Sequence, residues 1–259
     1  MQEIRATEYI ELYHQGEFAQ AKRHTSQNPC PLCKGLGFHA FRDAKGYEKA
    51  SACRCEGIDQ KIKCFNQAHI PVRYLNARFE DFRPMALSAQ EALIKTENFA
   101  WSFTMGSKGL LFFGGYGTGK TYLSICALKV LTLQRGIPAK FIEFAHLLSE
   151  LKAQFQTDQS EQHMDKYVQI PCLVIDELGG THLSDWGTRV LDELITKRYN
   201  ASQTTIFTTN FDPRSKNKHL PNHLSEKIGA RLYSRLQQMC DTVALFGPDY
   251  RNQSEELKG

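Results

Sequence analysis

The sequence predicts an α/β fold with a parallel five-stranded sheet, preceded by a small N-terminal module. From Gly109 onward, short apolar runs alternate with longer amphipathic segments, which is typical of a sheet covered by helices on both faces. The first apolar run ends in a glycine-rich loop, and four cysteines cluster well before it. The 259 residues, 41% of them hydrophobic, suffice for one α/β core and a small appendage.

The N-terminal region is predicted to be partly helical. Residues 3–24 carry apolar side chains at mostly helical spacing, with a weak point at Gly16. This helix either binds a partner or packs on the neighbouring domain. Further helices are expected at 58–69, ended by Pro71, and at 87–103.

A zinc site is predicted in the same region, around a short hairpin at 37–51. Its expected ligands are two pairs of cysteines: Cys30, Cys33, Cys53 and Cys55. Because Cys53 and Cys55 lie close together, His39, Cys64 or His24 is an alternative to one of them. About 30 residues bury too little apolar area to fold alone, so zinc is expected to supply folding energy.

Five strands and four helices are expected in the C-terminal part. The strands are predicted at 110–113, 140–143, 173–176, 204–208 and 242–245. The helices are predicted at 120–135, 145–155, 186–200 and 223–239. Open α/β sheets bind ligands at the carboxyl ends of their strands, so the residues that follow these strands are candidates for function.

The loop after the first strand has the spacing of a phosphate-binding P-loop. Its glycines allow backbone N–H groups to turn toward an oligophosphate, Lys120 can reach the β- and γ-phosphates, and the Thr121 hydroxyl can bind Mg²⁺. The residues expected to bind nucleotide are Gly114, Gly115, Tyr116, Gly117, Thr118, Gly119, Lys120, Thr121, Tyr122 and Asp176.

Polar residues follow two later strands. Asp176 and Glu177 end a buried apolar run, so Asp176 is expected on the Mg²⁺ side and Glu177 as the catalytic base. Asn210 ends a β-branched strand, where it either holds the attacking water or caps the following turn.

Two arginines, Arg231 and Arg235, are spaced for one face of a helix. Such a pair is either a solvated basic surface or the source of an arginine finger, which would stabilise the charge on a phosphoryl group bound by a neighbouring subunit.

Together these motifs resemble an AAA+ ATPase of the DnaC/IstB helicase-loader type. The segments 70–82 and 246–251 are similar to the lead-in and the C-terminal strand and tail of that family. The resemblance implies binding of ATP/ADP and Mg²⁺, and weak ATP hydrolysis that DNA or a partner stimulates. It also implies that Arg235 is the trans-acting arginine finger, with Arg231 a close second, and that the C-terminal lid is absent. The resemblance covers about residues 70–251. With the N-terminal patterns, four segments are expected: 1–64, the N-terminal helix and zinc module; 65–105, a linker and helical lead-in; 106–251, the ATPase domain; and 252–259, a tail.

The cysteine-rich N-terminus favours the DnaC/DnaI type, in which this region would bind a hexameric, DnaB-like replicative helicase. The chain is then expected to form homo-oligomers with ATP and to hold single-stranded DNA through Lys152, Phe155 and Lys166. Alternatively, this segment is an amphipathic helix that packs on the core, since Leu147, Leu148 and Leu151 have core spacing. An IstB-like regulator of transposition and a non-catalytic nucleotide-binding adaptor are the alternatives.

Composition adds modest limits to these hypotheses. A net charge of +4 allows nucleic-acid contact without requiring it. No apolar run approaches the length of a membrane span, and the first residues have no apolar signal core, so a cytoplasmic protein without membrane contact is expected.

Overall fold

The structure, a computed structural model, describes residues 9–24, 30, 32–53, 55–154, 160–180, 184–214 and 223–251. Its centre is a five-stranded parallel sheet with the strand order β6-β7-β8-β5-β9. These strands are β5 (Gly109–Phe113), β6 (Ala139–Glu143), β7 (Cys172–Asp176), β8 (Thr204–Thr209) and β9 (Cys240–Ala244). The predicted fold class is confirmed, and each predicted strand agrees with an observed one to within two residues at either end.

Helices connect the strands and cover both faces of the sheet. Before β5 lie α1 (Ile58–Asn66) and α2 (Leu87–Ser102), and α3 (Lys120–Lys129) follows the P-loop. The later helices are α4 (Phe144–Gln154), α5 (Ser160–Val168), α6 (Asp185–Asn200), α7 (Leu224–Ile228) and α8 (Ala230–Met239). None of the described helices combines the length and apolarity that crossing a membrane requires.

Two predicted helices differ from the observed ones. The helix that begins at Lys120 changes to π-helical hydrogen bonding over Val130–Gln134. The helix predicted at 223–239 is divided by Gly229, whose φ of 85° is incompatible with a continuous helix. Helix α5 was not predicted as a separate element.

The helix predicted at 3–24 is wrong for the described residues 9–24. They form an antiparallel hairpin of β1 (Ile10–Gln15) and β2 (Phe18–Arg23). Gly16, with a φ of 61°, lies in the two-residue turn, and on β2 the buried Ala19 and Ala21 alternate with more exposed neighbours. The prediction gave too little weight to this turn and to the two-residue period.

A second hairpin, β3 (Phe38–Arg42) and β4 (Glu48–Ala52), occupies the predicted position. Helix α1 follows it, and the segment after α1 connects the N-terminal part to the sheet. The Phe141 N–H of edge strand β6 donates to the Ala68 carbonyl at 2.8 Å, and the Ala19 N–H of β2 donates to the Ile70 carbonyl at 2.8 Å. This segment therefore covers part of an otherwise open sheet edge.

Two apolar cores lie on opposite faces of the sheet. One contains Leu110 and Phe112 together with residues of α2, α3, α1, the first hairpin and the four clustered cysteines. The other contains Leu111 and Phe207 with residues of α4 to α8. The alternation of Leu110, Leu111 and Phe112 follows the strand period. The N-terminal part thus shares a core with the P-loop helix.

Candidate functional site

The P-loop connects β5 to α3 and is closely surrounded. Gly114 has a φ of 148°, and a Cβ there would lie 1.8 Å from the Leu245 carbonyl oxygen. Gly117 has a φ of 68°, and a Cβ there would lie 1.7 Å from Asp249 Oδ1. Glycine is therefore required at Gly114 by conformation and by the backbone beside it, and at Gly117 by conformation. The C-terminal segment packs directly on the loop.

Lys120 opens α3 and is buried beneath the loop. Its Nζ donates to the carbonyl of Gly114 at 3.0 Å and also to that of Gly115. Burial lowers the pKa of Lys120 from 10.5 to about 8, and the Asp176 carboxylate opposes that shift. A buried ammonium at a helix N-terminus beside loop N–H groups matches the charge of an oligophosphate.

Three polar side chains converge at the end of β7. The Thr121 hydroxyl donates to the two oxygens of Asp176 at 2.9 and 3.1 Å, and the Thr208 hydroxyl donates to Asp176 Oδ1 at 2.5 Å. Burial raises the pKa of Asp176, while these two hydroxyl groups act to lower it. The structure thus brings together Thr121 and Asp176, whose hydroxyl and carboxylate oxygens are the ligand type Mg²⁺ prefers.

Glu177 lies in a left-handed conformation, with a φ of 59°. Its backbone N–H donates to the Thr208 hydroxyl at 3.0 Å, and the next N–H, of Leu178, donates to the Thr208 carbonyl at 2.8 Å. A residue other than glycine rarely adopts this conformation without support from its surroundings. Thr208 therefore fixes the backbone of Glu177 and the carboxylate of Asp176 at once.

A cavity of about 180 Å³ joins these groups. Residues predicted to bind or act on nucleotide line it: Tyr116, Gly117, Thr118, Gly119, Lys120, Thr121, Tyr122, Glu177 and Asn210. Sequence reasoning did not select its other lining residues: Tyr74, Thr208, Thr209, Tyr250 and Arg251. Arg251 is the last residue of the motif 246–251, so the C-terminal resemblance was the signal that could have found it.

An aromatic cluster closes one side of the site. The ring of Phe82 lies 5.9 Å from that of Tyr122 and 5.5 Å from that of Tyr250. The Tyr250 N–H donates to the Gly117 carbonyl at 3.0 Å, and its hydroxyl donates to the Arg83 carbonyl at 2.6 Å. The lead-in before α2 and the C-terminal segment are therefore held together at the P-loop.

Arg231 and Arg235 do not reach the cavity of their own chain. Both lie on α8, and neither lines the cavity around Lys120. They contact Asp192 of α6 instead. The structure therefore brings the other predicted catalytic residues together and leaves these two arginines at a separate surface.

The four clustered cysteines form a compact buried group. Their Sγ atoms lie within 4.8 Å of one another, with 3.9 Å between Cys30 and Cys53 and 3.4 Å between Cys33 and Cys55. Cys64 is not in this group, because its Sγ donates to the Gly136 carbonyl at 3.3 Å. Of the predicted ligand sets, the geometry supports the one with Cys55.

The electrostatics of the cluster fit a soft cation. Burial acts to raise the pKa of Cys33, but hydrogen bonds from the Gly37 N–H, from Cys55 and from the Gly35 N–H lower it to about 6. Burial raises the pKa of Cys55 to about 12. Four buried sulfur atoms in one group of tetrahedral size are compatible with Zn²⁺.

The predicted DNA-binding residues are only partly described. Lys152 is exposed on α4, and Phe155 lies outside the described residues. Lys166, on α5, lies 3.3 Å from the Glu150 carboxylate and above the Tyr167 ring. Its charge is therefore already paired within the chain.

Comparison with known proteins now adds to this geometry. A family model described as IstB-like ATP binding protein matches residues 62–257, which is most of the chain. The chain belongs to the family of IstB-like ATP-binding proteins.

Among curated members related to this family, the replicative helicase loader DnaC of Escherichia coli K12 is 24% identical over 192 residues, covering 73% of this chain and 78% of DnaC. The loader DnaI of Bacillus subtilis is 23% identical over 158 residues, which is 59% of this chain and 50% of DnaI. A putative ATP-binding protein of insertion sequence IS5376, from Geobacillus stearothermophilus, is 31% identical over 98 residues, 38% of this chain and 39% of that protein.

Solved structures give the same grouping. The crystal structure of the DnaC helicase loader aligns with a TM-score of 0.62 and 30% identity, covering 67% of this chain and 99% of that one. The DnaI structure aligns with a TM-score of 0.56 and 26% identity over 70% and 93% of the two chains. The chain is thus homologous to replicative helicase loaders and has the AAA+ P-loop fold, which supports ATPase chemistry at the family level.

Proposed function

We propose that this protein is an ATP-controlled loader that delivers a hexameric, DnaB-like replicative helicase to single-stranded DNA. The homology to DnaC and DnaI, together with the family match over residues 62–257, carries the proposal. Lys120, Thr121 and Glu177 line one cavity, and Thr121 donates a hydrogen bond to Asp176. This arrangement supports a working ATP site rather than a remnant of one.

Each site residue has a role in this proposal. Loop N–H groups and Lys120 would hold the phosphates, and Thr121 and Asp176 would hold Mg²⁺, which neutralises phosphate charge when bound. Glu177 accepts a proton from the attacking water, and Asn210 orients that water. Because Arg235 is remote from its own cavity, it acts on the nucleotide of a neighbouring copy.

The test is co-purification and loading with a hexameric DnaB-like helicase. The full chain is expected to form a complex with the helicase and to increase strand displacement on circular single-stranded DNA in the presence of ATP. Lys120→Ala is expected to abolish nucleotide binding, and Arg235→Ala to keep binding but to remove DNA-stimulated hydrolysis. Equal loss of nucleotide binding in both variants contradicts the trans role of Arg235.

The zinc module is proposed to contact the helicase. Deleting residues 1–64 is a poor test, because the cut removes most of α1 and part of a shared core. The double variant Cys30→Ser/Cys33→Ser is preferable, and it is expected to lose helicase binding while the full chain keeps it. Equal helicase binding by both proteins rules out this role for the module.

A transposition regulator is the second candidate. The 31% identity to the IS5376 protein over 98 residues favours this candidate. Binding to a transposase with no binding to any hexameric helicase would establish it in place of the loader. The adaptor hypothesis is eliminated if DNA-dependent phosphate release is measurable and disappears in Glu177→Gln.

A further inference from the structure

A carboxylate on α6 holds both arginines of α8. Asp192 Oδ1 accepts a hydrogen bond from Arg235 Nη1 at 2.7 Å, and Arg231 Nε lies 3.6 Å from the same oxygen. The two arginines differ in accessibility, because the Arg235 side chain is 19% exposed and that of Arg231 is 72% exposed. Asp192 therefore pairs with one largely buried guanidinium and one exposed guanidinium.

Asp192 and Arg231 line a surface groove that is distinct from the nucleotide cavity. The groove has a volume of about 620 Å³ and lies between α6 and the α7–α8 pair. Its lining includes Thr188, Arg189, Asp192, Gly229 and Arg231, none of which lines the nucleotide cavity. This surface can act on a nucleotide only when a second copy of the chain approaches it.

The pairing uses one nitrogen of the Arg235 guanidinium. Nη1 donates to Asp192 Oδ1, and a guanidinium has four further N–H donors besides the one used there. An arginine side chain has many rotamers, and a carboxylate that fixes one edge of the fork removes that freedom before a neighbour arrives.

We propose that Asp192 is a positioning residue that preorients Arg235 for the nucleotide of a neighbouring subunit. This inference rests on the proposed trans role of Arg235. Because Asp192 holds Arg235 before the two subunits meet, Arg235 does not have to be ordered in the transition state. Loss of the Asp192 carboxylate therefore lowers the rate of hydrolysis rather than nucleotide affinity. Arg231 contacts the same carboxylate and adds a second positive charge to the surface groove.

The arrangement differs from an ordinary surface ion pair. Glu193, the next residue of α6, pairs with Lys197 at 2.8 Å, but both partners are well exposed. Exposed pairs of this kind contribute little. The Asp192–Arg235 pair is more buried, links two helices and holds the proposed finger. Glu193→Gln on the same helix is therefore the matched control.

The test is hydrolysis of ATP by mixed oligomers with single-stranded DNA present. Lys120→Ala provides subunits that have an intact Arg235 but no nucleotide, and Arg235→Ala provides subunits with an intact nucleotide site. Each variant alone is expected to be inactive, and their mixture is expected to recover activity. Asp192→Asn is then added to one of the two subunits at a time.

The expected result is asymmetric. Asp192→Asn in the Lys120→Ala subunit, which donates Arg235, is expected to lower the recovered kcat about fivefold with little change in KM. The same change in the Arg235→Ala subunit, or Glu193→Gln in either one, is expected to have no effect. An equal effect of Asp192→Asn in both subunits, or none in either, overturns the inference while the trans role stands. A mixture that recovers no activity at all instead contradicts the trans role of Arg235 itself.

Discussion

At the scale of single residues, Thr208 links the two acidic groups of the ATP site. Its hydroxyl donates to Asp176 and accepts the Glu177 N–H, so one oxygen connects the proposed Mg²⁺ ligand with the proposed base. Thr208 was not predicted, since nothing in a run of threonines distinguishes the one that faces β7. Only the order of the strands, with β8 between β5 and β7, reveals it.

Thr208→Val removes both hydrogen bonds and keeps the shape of the side chain. We expect it to lower the kcat for ATP roughly tenfold to a hundredfold, because each lost hydrogen bond of about 1–2 kcal/mol loosens a catalytic group. The pKa of Asp176 should rise further without the hydroxyl, so the acid limb of the pH–rate profile should move to higher pH. Steady-state kinetics across pH provide the measurement, and Thr208→Ser should restore both rate and profile. A rate unchanged in the valine variant rules out this role.

The lowered pKa of Lys120 gives nucleotide binding a pH dependence. Burial holds that pKa at about 8 in the free protein, and phosphate oxygens beside the ammonium would raise it in the complex. The complex then holds more protons than the free protein above pH 8. ATP affinity should therefore be flat below pH 8 and fall as the pH rises above it, by at most about tenfold per unit. Titration of a fluorescent ATP analogue from pH 6.5 to 9.5 measures this affinity.

Lys120→Arg is the control, because arginine does not titrate in that pH range. This variant should bind ATP without the decline in affinity. A decline that persists in it would assign the pH dependence to another group.

At the scale of elements, the sequence predicts strands better than their connections. β5 and β7 are continuous apolar runs, one followed by the glycine-rich loop and the other ending at Asp176, so local composition defines them. The first hairpin was not predicted, because residues 10–23 have apolar side chains at helical spacing as well as at the two-residue spacing of a strand. Only the turn and the pairing of the two strands distinguish a hairpin from a helix here. The break at Gly229 depends on a single φ angle.

Helix α6 is fastened to the sheet by one buried side chain. Arg198 is fully buried, and its Nη1 donates to the Ile170 carbonyl at 3.0 Å, while its Nε donates to the Thr205 hydroxyl at 2.9 Å. Its guanidinium also donates to the carbonyls of Tyr167 and Thr204. The planar fork thus satisfies backbone groups where α5, β7 and β8 meet.

Arg198→Lys retains the positive charge but cannot reproduce the fork. We expect it to lower the free energy of unfolding by about 3 kcal/mol, because buried carbonyls lose their donors and an ammonium is buried instead. Chemical denaturation measures the change. Arg189→Lys, on the exposed side of the same helix, should stay within about 0.5 kcal/mol of the original chain. Similar stability of the two variants contradicts a structural role for Arg198.

At the scale of the whole molecule, the N-terminal part and the ATPase region are not independent. The sequence suggested a separate module, since a cysteine cluster is a local pattern whereas packing between distant segments leaves no comparable signal. The core on one face of the sheet nevertheless includes Cys33, Ile58 and Phe82 as well as Leu123 of the P-loop helix. Loss of metal from the cysteine cluster should therefore lower the stability of the entire fold.

We expect the purified chain to carry about one Zn²⁺, and Cys30→Ser/Cys33→Ser to lose it. Because one core joins the cluster to α3, removal of the metal should lower the temperature of the main unfolding transition, by about 10 °C for a loss on the order of 3 kcal/mol. Calorimetry with metal analysis of the same samples is the measurement.

Cys64→Ser is the matched control. Cys64 donates a hydrogen bond to the Gly136 carbonyl outside the cluster, so this variant should keep its zinc. Metal-free protein with an unchanged transition would mean that the cysteines pack as ordinary core residues, and a separate low-temperature transition would mean that the module folds independently of the ATP site.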